Sequence, residues 1–484
     1  MKASEGFSAL NMPENRIENP DKPREECGIF GIYGNNLDVA RITYYGLYAL
    51  QHRGQESAGI AVSDGNRVNL HKGMGLVPEV FSKEQLDTMK GHIAIGHVRY
   101  STTGSSHPLN AQPLVFRYAR GTLGLAHNGN ITNIWDLRSQ LTSTGSVFQS
   151  TTDSEVIVNL IARYSQNTLE EALSKCMIDV KGAYSLLIIT ENSLIAVRDP
   201  YGFRPLCLGK LGDGYVVASE SCALDTVGAT KLRDVEPGEI IIIDEKGVRS
   251  IRALSSRKKA HCIFEYIYFA RPDSDMDGFQ VSRVRREMGR QLAREFPADV
   301  DLVIAVPDSG TTAARGYAEE SGISFEEGLM KNRYIGRTFI QPSQDMREMG
   351  VRLKLNPLKH ILEGKRVLMV DDSLVRGTTS SKIVKMLREC GAREVYLCLS
   401  SPPVIKSCYY GIDTSNESEL VASQMSVNQI KDLIGVDGLY YLSLEGLLNV
   451  FGDCRENFCT ACFNGDYPVK IPKLGDSSKY MLEW

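Results

Sequence analysis

Two adjacent carboxylates, Asp371 and Asp372, end a short apolar run, Val367–Val370, and lead into Ser373-Leu-Val-Arg-Gly-Thr-Thr379. The run reads as a buried parallel strand, the polar stretch as a loop, and its last residues as a helix start. Strand, loop, helix is how open α/β sheets seat anionic ligands outside the carboxyl end of a strand. Backbone N–H groups at a helix entrance hold a phosphate without a lysine. The paired carboxylates add oxygen ligands for neighbouring ribose hydroxyls or for Mg²⁺. A phosphate, a ribose and a divalent cation held together point to an activated sugar phosphate. A second chemistry-bearing set is sulfur. Among the eleven cysteines, Cys459 and Cys462 are spaced as CxxC. Four thiolates suit a [4Fe–4S] cluster or structural zinc, and a CxxC pair alone suits dithiol chemistry. Isolated cysteines such as Cys176 and Cys207 read as small core residues.

The elements that must position these groups obey two grammars. From Cys27 to about residue 250 short strands alternate with Gly-rich turns and a few helices. Strands are expected at Gly28–Tyr33, Ser57–Val62, His92–Tyr100 and Thr122–His127, and a helix at Ile42–Gln51. A hairpin is expected from Ala183–Thr190 and Leu194–Arg198. Apolar residues at 156, 157, 160 and 161 predict a helix over Ser154–Tyr164. This mixture suggests α+β layers. From about 260 strand and helix alternate as in a doubly wound α/β sheet, with strands at Val300–Val306, Val367–Val370 and Val395–Leu399. The boundary falls near the charged stretch Glu245–Arg257, dividing the chain into 1–26, 27–255 and 256–484.

At 484 residues the chain is long enough for several domains and a large core. A net charge of −4 argues against a general nucleic-acid or membrane-surface binder. No apolar run approaches the ~20 residues of a membrane helix. The first 26 residues are polar, carry prolines at 13, 20 and 23, and lack the apolar core of a secretory signal. They read as a flexible leader, and the expected compartment is the reducing cytosol.

Residues 367–379 resemble the signature of type I phosphoribosyltransferases, which use phosphoribosyl pyrophosphate (PRPP). The resemblance extends to Val306-Pro-Asp-Ser-Gly310, which matches the pyrophosphate-side loop with Asp308 and Ser309. It implies Mg²⁺ at Ser309, Asp371 and Asp372, and a 5′-phosphate cradled by Ser373, Gly377, Thr378 and Thr379. The basic segment Lys331–Pro342, with Lys331 and Arg337, followed by Arg347, Arg352 and Lys354, resembles a mobile lid that screens the pyrophosphate.

In the N-terminal half, Cys27-Gly-Ile-Phe-Gly31, Leu50–Gly59, Gly96–Gly104, Ala126-His-Asn-Gly-Asn130 and Thr151–Glu155 occur in the order of class II glutamine amidotransferases, the N-terminal-nucleophile (Ntn) group. The resemblance implies that removal of a propeptide, residues 1–26, frees Cys27 as nucleophile with its own α-amine as base. It also implies that Asn128 and Gly129 form the oxyanion hole, that Arg99 grips the glutamine carboxylate and that Asp153 meets the α-ammonium. The bland alternatives are a core cysteine, a surface arginine, an Asn-Gly turn and a helix-capping aspartate.

The whole chain resembles the amidophosphoribosyltransferase family, and Cys262, Cys408, Cys459 and Cys462 resemble the cluster ligands of its iron–sulfur, Bacillus-type branch, with Cys454 a spectator. The implied fold is a four-layer αββα Ntn domain followed by a doubly wound α/β type I phosphoribosyltransferase domain with a cluster-binding tail. The implied reaction makes 5-phosphoribosylamine from glutamine and PRPP, with ammonia channelled between the sites, at the first committed step of purine biosynthesis. Mg²⁺ and a [4Fe–4S] cluster are the implied cofactors, purine nucleotides the feedback inhibitors and a homotetramer the assembly. Two rivals are a PRPP- or purine-sensing regulator that lost the chemistry, and another Ntn amidotransferase such as a glucosamine-6-phosphate synthase.

Overall fold

The computed structural model describes residues 26–100, 106–254, 258–332, 354–414 and 417–471. The leader up to residue 25 and most of the expected lid, with Arg337, Arg347 and Arg352, lie outside the described residues.

Two antiparallel sheets build the N-terminal half. One has seven strands, in the spatial order Thr230–Asp234, Cys207–Leu211, Gly214–Ala218, Gly28–Tyr33, Ile93–Arg99, Ser57–Ser63 and Val68–Met74. The other has six, in the order Gly247–Arg252, Glu239–Asp244, Leu194–Arg198, Gly182–Ile189, Gly121–Ile131 and Leu114–Tyr118. Side chains alternate across each strand. Phe30 and Ile32 therefore pack outward with Val39 and Leu47 of helix Val39–Ala49. Ile29 and Tyr33 turn inward and meet Leu187, Leu194 and Ile241 of the second sheet. Helix Ser154–Tyr164, with the bounds its periodicity predicts, covers the second sheet's outer face with Val156, Ile157, Leu160 and Ile161, alongside helix Leu169–Asp179. The result is the four-layer αββα arrangement. Burying each of these aliphatic side chains contributes about 2 kcal/mol.

The C-terminal half is organised by a four-stranded parallel sheet, in the order Leu302–Ala305, Arg366–Asp371, Glu394–Leu399 and Gly438–Tyr441. Val303, Ala305, Leu368 and Val370 pack on one face with helices Val281–Glu295 and Thr311–Ser321. Ile304, Val367, Met369 and Leu397 pack on the other with helices Thr378–Glu389 and Val427–Ile434. Both faces are covered, so the strands read as unbroken apolar runs. Helix Thr378–Glu389 stops at Cys390, followed by Gly391 at φ +92°. The expected strands and helices are all present, within a few residues. One difference matters for the chemistry. The strand expected to end at His127 continues to Ile131, so Asn128-Gly129 lies inside a strand and is not a turn.

The two halves meet through buried charge. Arg198 donates to both carboxylate oxygens of Asp277 at 2.8 and 2.9 Å, and to the carbonyls of Gly202, Arg204 and Val235. Asp277, at φ +50°, and Gly278 form the turn between Asp275–Met276 and Phe279–Gln280. Burial works against the Asp277 carboxylate, but Arg198, and after it His261, outweigh that and hold its pKa down to about 2. A carboxyl whose pKa is lower folded than unfolded stabilises the fold above its unfolded value of ~4 and loses that contribution as pH falls toward its folded value. Asp277→Asn should therefore cost about 2–3 kcal/mol at neutral pH. The thermal midpoints of variant and native chain should converge as an acid titration passes from pH ~4 to ~2.

Candidate active sites

Cys27 directly precedes strand Gly28–Tyr33 and is nearly enclosed. Its thiol donates to the Tyr100 carbonyl at 3.4 Å. Burial raises its pKa to about 11, with Arg99 pulling the other way and Glu56 and Asp153 adding to the rise. These charges bear on one sulfur because the chain brings them together. Arg99 ends strand Ile93–Arg99 with its side chain only 3% exposed, and its Nη1 faces Glu56 Oε1 at 3.4 Å. It is not a surface arginine. Asp153 stands at the N-cap of helix Ser154–Tyr164 but makes no capping bond. Its Oδ2 accepts the Ile131 N–H at 3.1 Å, and its Oδ1 faces Ser154 Oγ at 3.3 Å and His127 Nδ1 at 3.5 Å. Burial would raise this carboxyl, but His127 and the two hydrogen bonds hold it below the usual range.

Asn128 and Gly129 sit on the strand just before Ile131. The Nδ2 of Asn128 is buried and has no hydrogen-bond partner among the described residues. A buried amide donor left unpaired costs ~1–3 kcal/mol, so its presence calls for a role. Gly129 adopts φ +142°, and a Cβ there would lie 2.1 Å from the Ala183 carbonyl oxygen. No other residue fits without moving the neighbouring strand.

The second site lies at the carboxyl end of the parallel sheet. Ala305 registers with Val370, and Val306 N–H donates to the Val370 carbonyl at 2.9 Å. Loop 306–310 thus emerges beside Asp371. A Cβ on Gly310 would come within 3.1 Å of the Asp371 Cα, so this glycine lets the two loops touch. Asp308 is ion-paired to Lys331. Asp371 and Asp372 are buried; the Asp372 N–H donates to Asp371 Oδ1 at 2.9 Å, and Ser373 Oγ donates to Asp372 Oδ1 at 2.6 Å. Gly377, at φ +81°, begins helix Thr378–Glu389. The positive end of that helix faces the loop, where an anion is favoured.

The four cysteines converge from distant parts of the chain. His261–Cys262 pairs in parallel with Phe458–Cys459, placing Cys262 opposite Cys459. The Cys462 carbonyl accepts N–H groups of Ile405 and Lys406 at 3.0 and 3.1 Å, and Cys408 Sγ accepts the Tyr410 N–H at 3.3 Å. Burial raises all four thiols, and Cys459, Cys408 and Cys262 raise Cys462 further. Cys454 lies on the turn Gly452–Asn457. Among the described residues no group of three or more His, Cys, Asp or Glu is placed to hold a metal ion.

A fold with an αββα half headed by a cysteine and a PRPP-type half behind it defines a glutamine amidotransferase joined to a phosphoribosyltransferase. Residues 97–226 match the family described as glutamine amidotransferase domain, and residues 280–403 that described as phosphoribosyl transferase domain. The amidophosphoribosyltransferase of Bacillus subtilis is 53% identical over 92% of this chain and 95% of its own. That of Synechocystis is 52% identical over 96% and 95%. The solved B. subtilis glutamine PRPP amidotransferase complexed with ADP and GMP superposes with a TM-score of 0.88 at 52% identity, over 92% of this chain and 98% of that one. This chain belongs to the amidophosphoribosyltransferase family: it makes 5-phosphoribosylamine from glutamine and PRPP, at the first committed step of de novo purine biosynthesis.

Sequence reasoning singled out Cys27, Arg99, Asn128 and Asp153 and missed the groups that hold them. Glu56 faces Arg99, while His127 and Ser154 hold Asp153. Arg53 Nε donates to the Cys27 carbonyl at 3.1 Å. All four lie inside the segments that carry the amidotransferase resemblance, so the available signal was a polar residue in a segment otherwise destined for burial. If the orphaned amide of Asn128 is kept for the transition state, Asn128→Ala should lower glutamine-dependent kcat by about 10²–10³-fold. The thermal midpoint should barely move, because that nitrogen holds nothing in the resting fold. A large fall in thermal midpoint with activity retained would contradict this role.

Proposed function

We propose that Cys27, freed by removal of residues 1–26, attacks the side-chain amide of glutamine, and that the ammonia released passes through an enclosed route to C1 of PRPP. The division at 27 and near 255 belongs to the same reading. A thiol raised to about 11 by burial is not ionised at neutral pH. It needs a base at the moment of attack, and an α-amine titrating near ~8 supplies one on the same residue. The observation that carries the reading is the unpaired, buried Asn128 Nδ2 beside Gly129, a donor waiting for an oxyanion. Arg99 and Asp153, both buried and of opposite charge, suit the carboxylate and ammonium of an amino-acid substrate.

In the second half, Ser373, Gly377, Thr378 and Thr379 would hold the 5′-phosphate at the helix entrance, with Asp308, Ser309, Lys331 and Arg337 on the pyrophosphate side. The donor set of Asp371, Asp372 and Ser309 is all oxygen and suits Mg²⁺. Bound there, the ion would neutralise charge on the leaving pyrophosphate. The ADP and GMP of the similar solved structure support purine nucleotides as feedback inhibitors here. The family resemblance supports a homotetramer in the cytoplasm.

The two half-reactions separate by mutation. Cys27→Ala should abolish glutamine-dependent synthesis and leave synthesis from added ammonia. Asp372→Asn should weaken both, because both nitrogen sources meet the same PRPP. The assignment fails if Asp372→Asn spares the ammonia-dependent route.

Cys262, Cys408, Cys459 and Cys462 fit a [4Fe–4S] cluster. The four cysteines are brought to one region of the fold, close enough for Cys459, Cys408 and Cys262 to act on Cys462. Buried Arg204 acts on Cys262 and Cys408, a positive charge suited to four thiolates. A cluster bound there contributes metal–thiolate bonding to folding. Anaerobically purified protein should be brown, with about four irons and four sulfides per chain. Cys459→Ala should be colourless and poorly folded, and Cys454→Ala should be neither. Colourless, active protein with one zinc per chain would overturn the cluster and leave the amidotransferase intact.

A further inference from the structure

Arg53 holds the backbone of Cys27, and a carboxylate from the other half of the molecule holds Arg53. The guanidinium donates through Nε to the Cys27 carbonyl at 3.1 Å. Its remaining nitrogens are locked. Nη1 and Nη2 reach Glu265 Oε2 and Oε1 at 3.0 and 2.6 Å, a two-pronged pairing that fixes the plane of the fork. Nη1 also meets Glu220 Oε1 at 2.5 Å, and Nη2 meets Glu26 Oε2 at 2.9 Å. All four side chains are at most 2% exposed.

Glu265 lies in the apolar run Ile263–Phe269, where a lone carboxylate is costly unless it serves something. It opens a single π-helical turn, Glu265–Phe269. Such turns are rare and recur at functional sites. The turn is clamped from its far side: Arg285, on helix Val281–Glu295, donates to the carbonyls of Tyr266, Tyr268 and Ala270 at 2.8, 2.9 and 2.8 Å. Glu265 therefore presents a fixed carboxylate to the N-terminal half.

Glu26 shares Arg53 with Glu265, and it also pairs with Arg204. If Glu26 leaves with the propeptide, Arg53 keeps Glu220 and the two-pronged Glu265 pairing. The anchor on the Cys27 carbonyl thus survives maturation.

We propose that Glu265, supplied by the C-terminal half, is a positioning residue of the glutaminase site, fixing through Arg53 the backbone carbonyl and hence the thiol of Cys27. The proposal rests on the reading of Cys27 as nucleophile. A buried ion pair with only a structural role would affect both half-reactions alike. A positioning role affects one kinetic constant of one half-reaction. Glutamine is held by Arg99 and Asp153, so its KM should stand. The thiol's placement governs turnover, where a shift of ~1 Å costs about 10²-fold.

The test uses the full chain with Glu265→Gln and Glu265→Asp, with rates taken per chain beginning at Cys27 as counted by intact mass. Glu265→Gln should lower glutamine-dependent kcat by about 10²-fold, leaving the glutamine KM and the ammonia-dependent rate within about 2-fold. Glu265→Asp keeps the charge and shortens the reach, so it should fall between. Equal loss of both routes, a raised KM with kcat kept, or full activity in Glu265→Gln would each overturn the proposal. If Glu265→Gln does not fold or mature, the same ratio in Glu265→Asp decides. Cys27→Ala is the control: if it still hydrolyses glutamine, the reading of Cys27 falls and the positioning of its thiol with it.

Discussion

Charge placed where water cannot reach it is the constraint on which this molecule depends. Arg53, Arg198 and Arg204 are essentially unexposed and lie where the two halves meet. A guanidinium in that position is tolerable only if every donor has an acceptor at fixed distance. Arg198 satisfies this with Asp277 and three carbonyls, and Arg53 with three carboxylates and the Cys27 carbonyl. Arg204 does so with Glu26 and the Tyr410 carbonyl. All three belong to the N-terminal half and take partners from the other, so the N-terminal half does not satisfy them alone. The relative placement of two chemistries, amide hydrolysis and phosphoribosyl transfer, is fixed by this hydrogen-bond geometry together with an apolar cluster in which Phe203 stacks on Tyr410.

Much of this was legible in the sequence, for identifiable reasons. The parallel strands declare themselves because both their faces are buried, so Val367–Val370 is unbroken apolar. Helix Ser154–Tyr164 declares itself because the apolar residues it lays on the second sheet, Val156, Ile157, Leu160 and Ile161, recur at helical spacing. Cys27, Asp371 and Asp372 stand out because each sits at an abrupt change from apolar to polar. The bounds of Gly121–Ile131 were less legible. Asn128-Gly129 has the composition of a turn, and the ladder that pairs Asn128 with Ser185 and Gly129 with Tyr184 keeps it extended. Local preference was overruled by the neighbouring strand.

The supporting groups were least legible. Glu265 and Arg53 are more than two hundred positions apart in the chain, and neither has a partner within its own segment. A long-range ion pair leaves no periodic trace. The only local sign is a charged residue in surroundings that should exclude it. The same holds for Arg285, whose partners are carbonyls, which every residue carries.

The parallel pairing of His261–Cys262 with Phe458–Cys459 has a consequence for how the protein is made. The first strand leaves the ribosome at the start of the second half, and its partner emerges only near the end of the chain. The intervening sheet can assemble during synthesis, because its strands are successive in sequence. The four-cysteine region cannot. It is the last part to close, so a newly made chain waits with an unpaired strand and free thiols until its tail arrives.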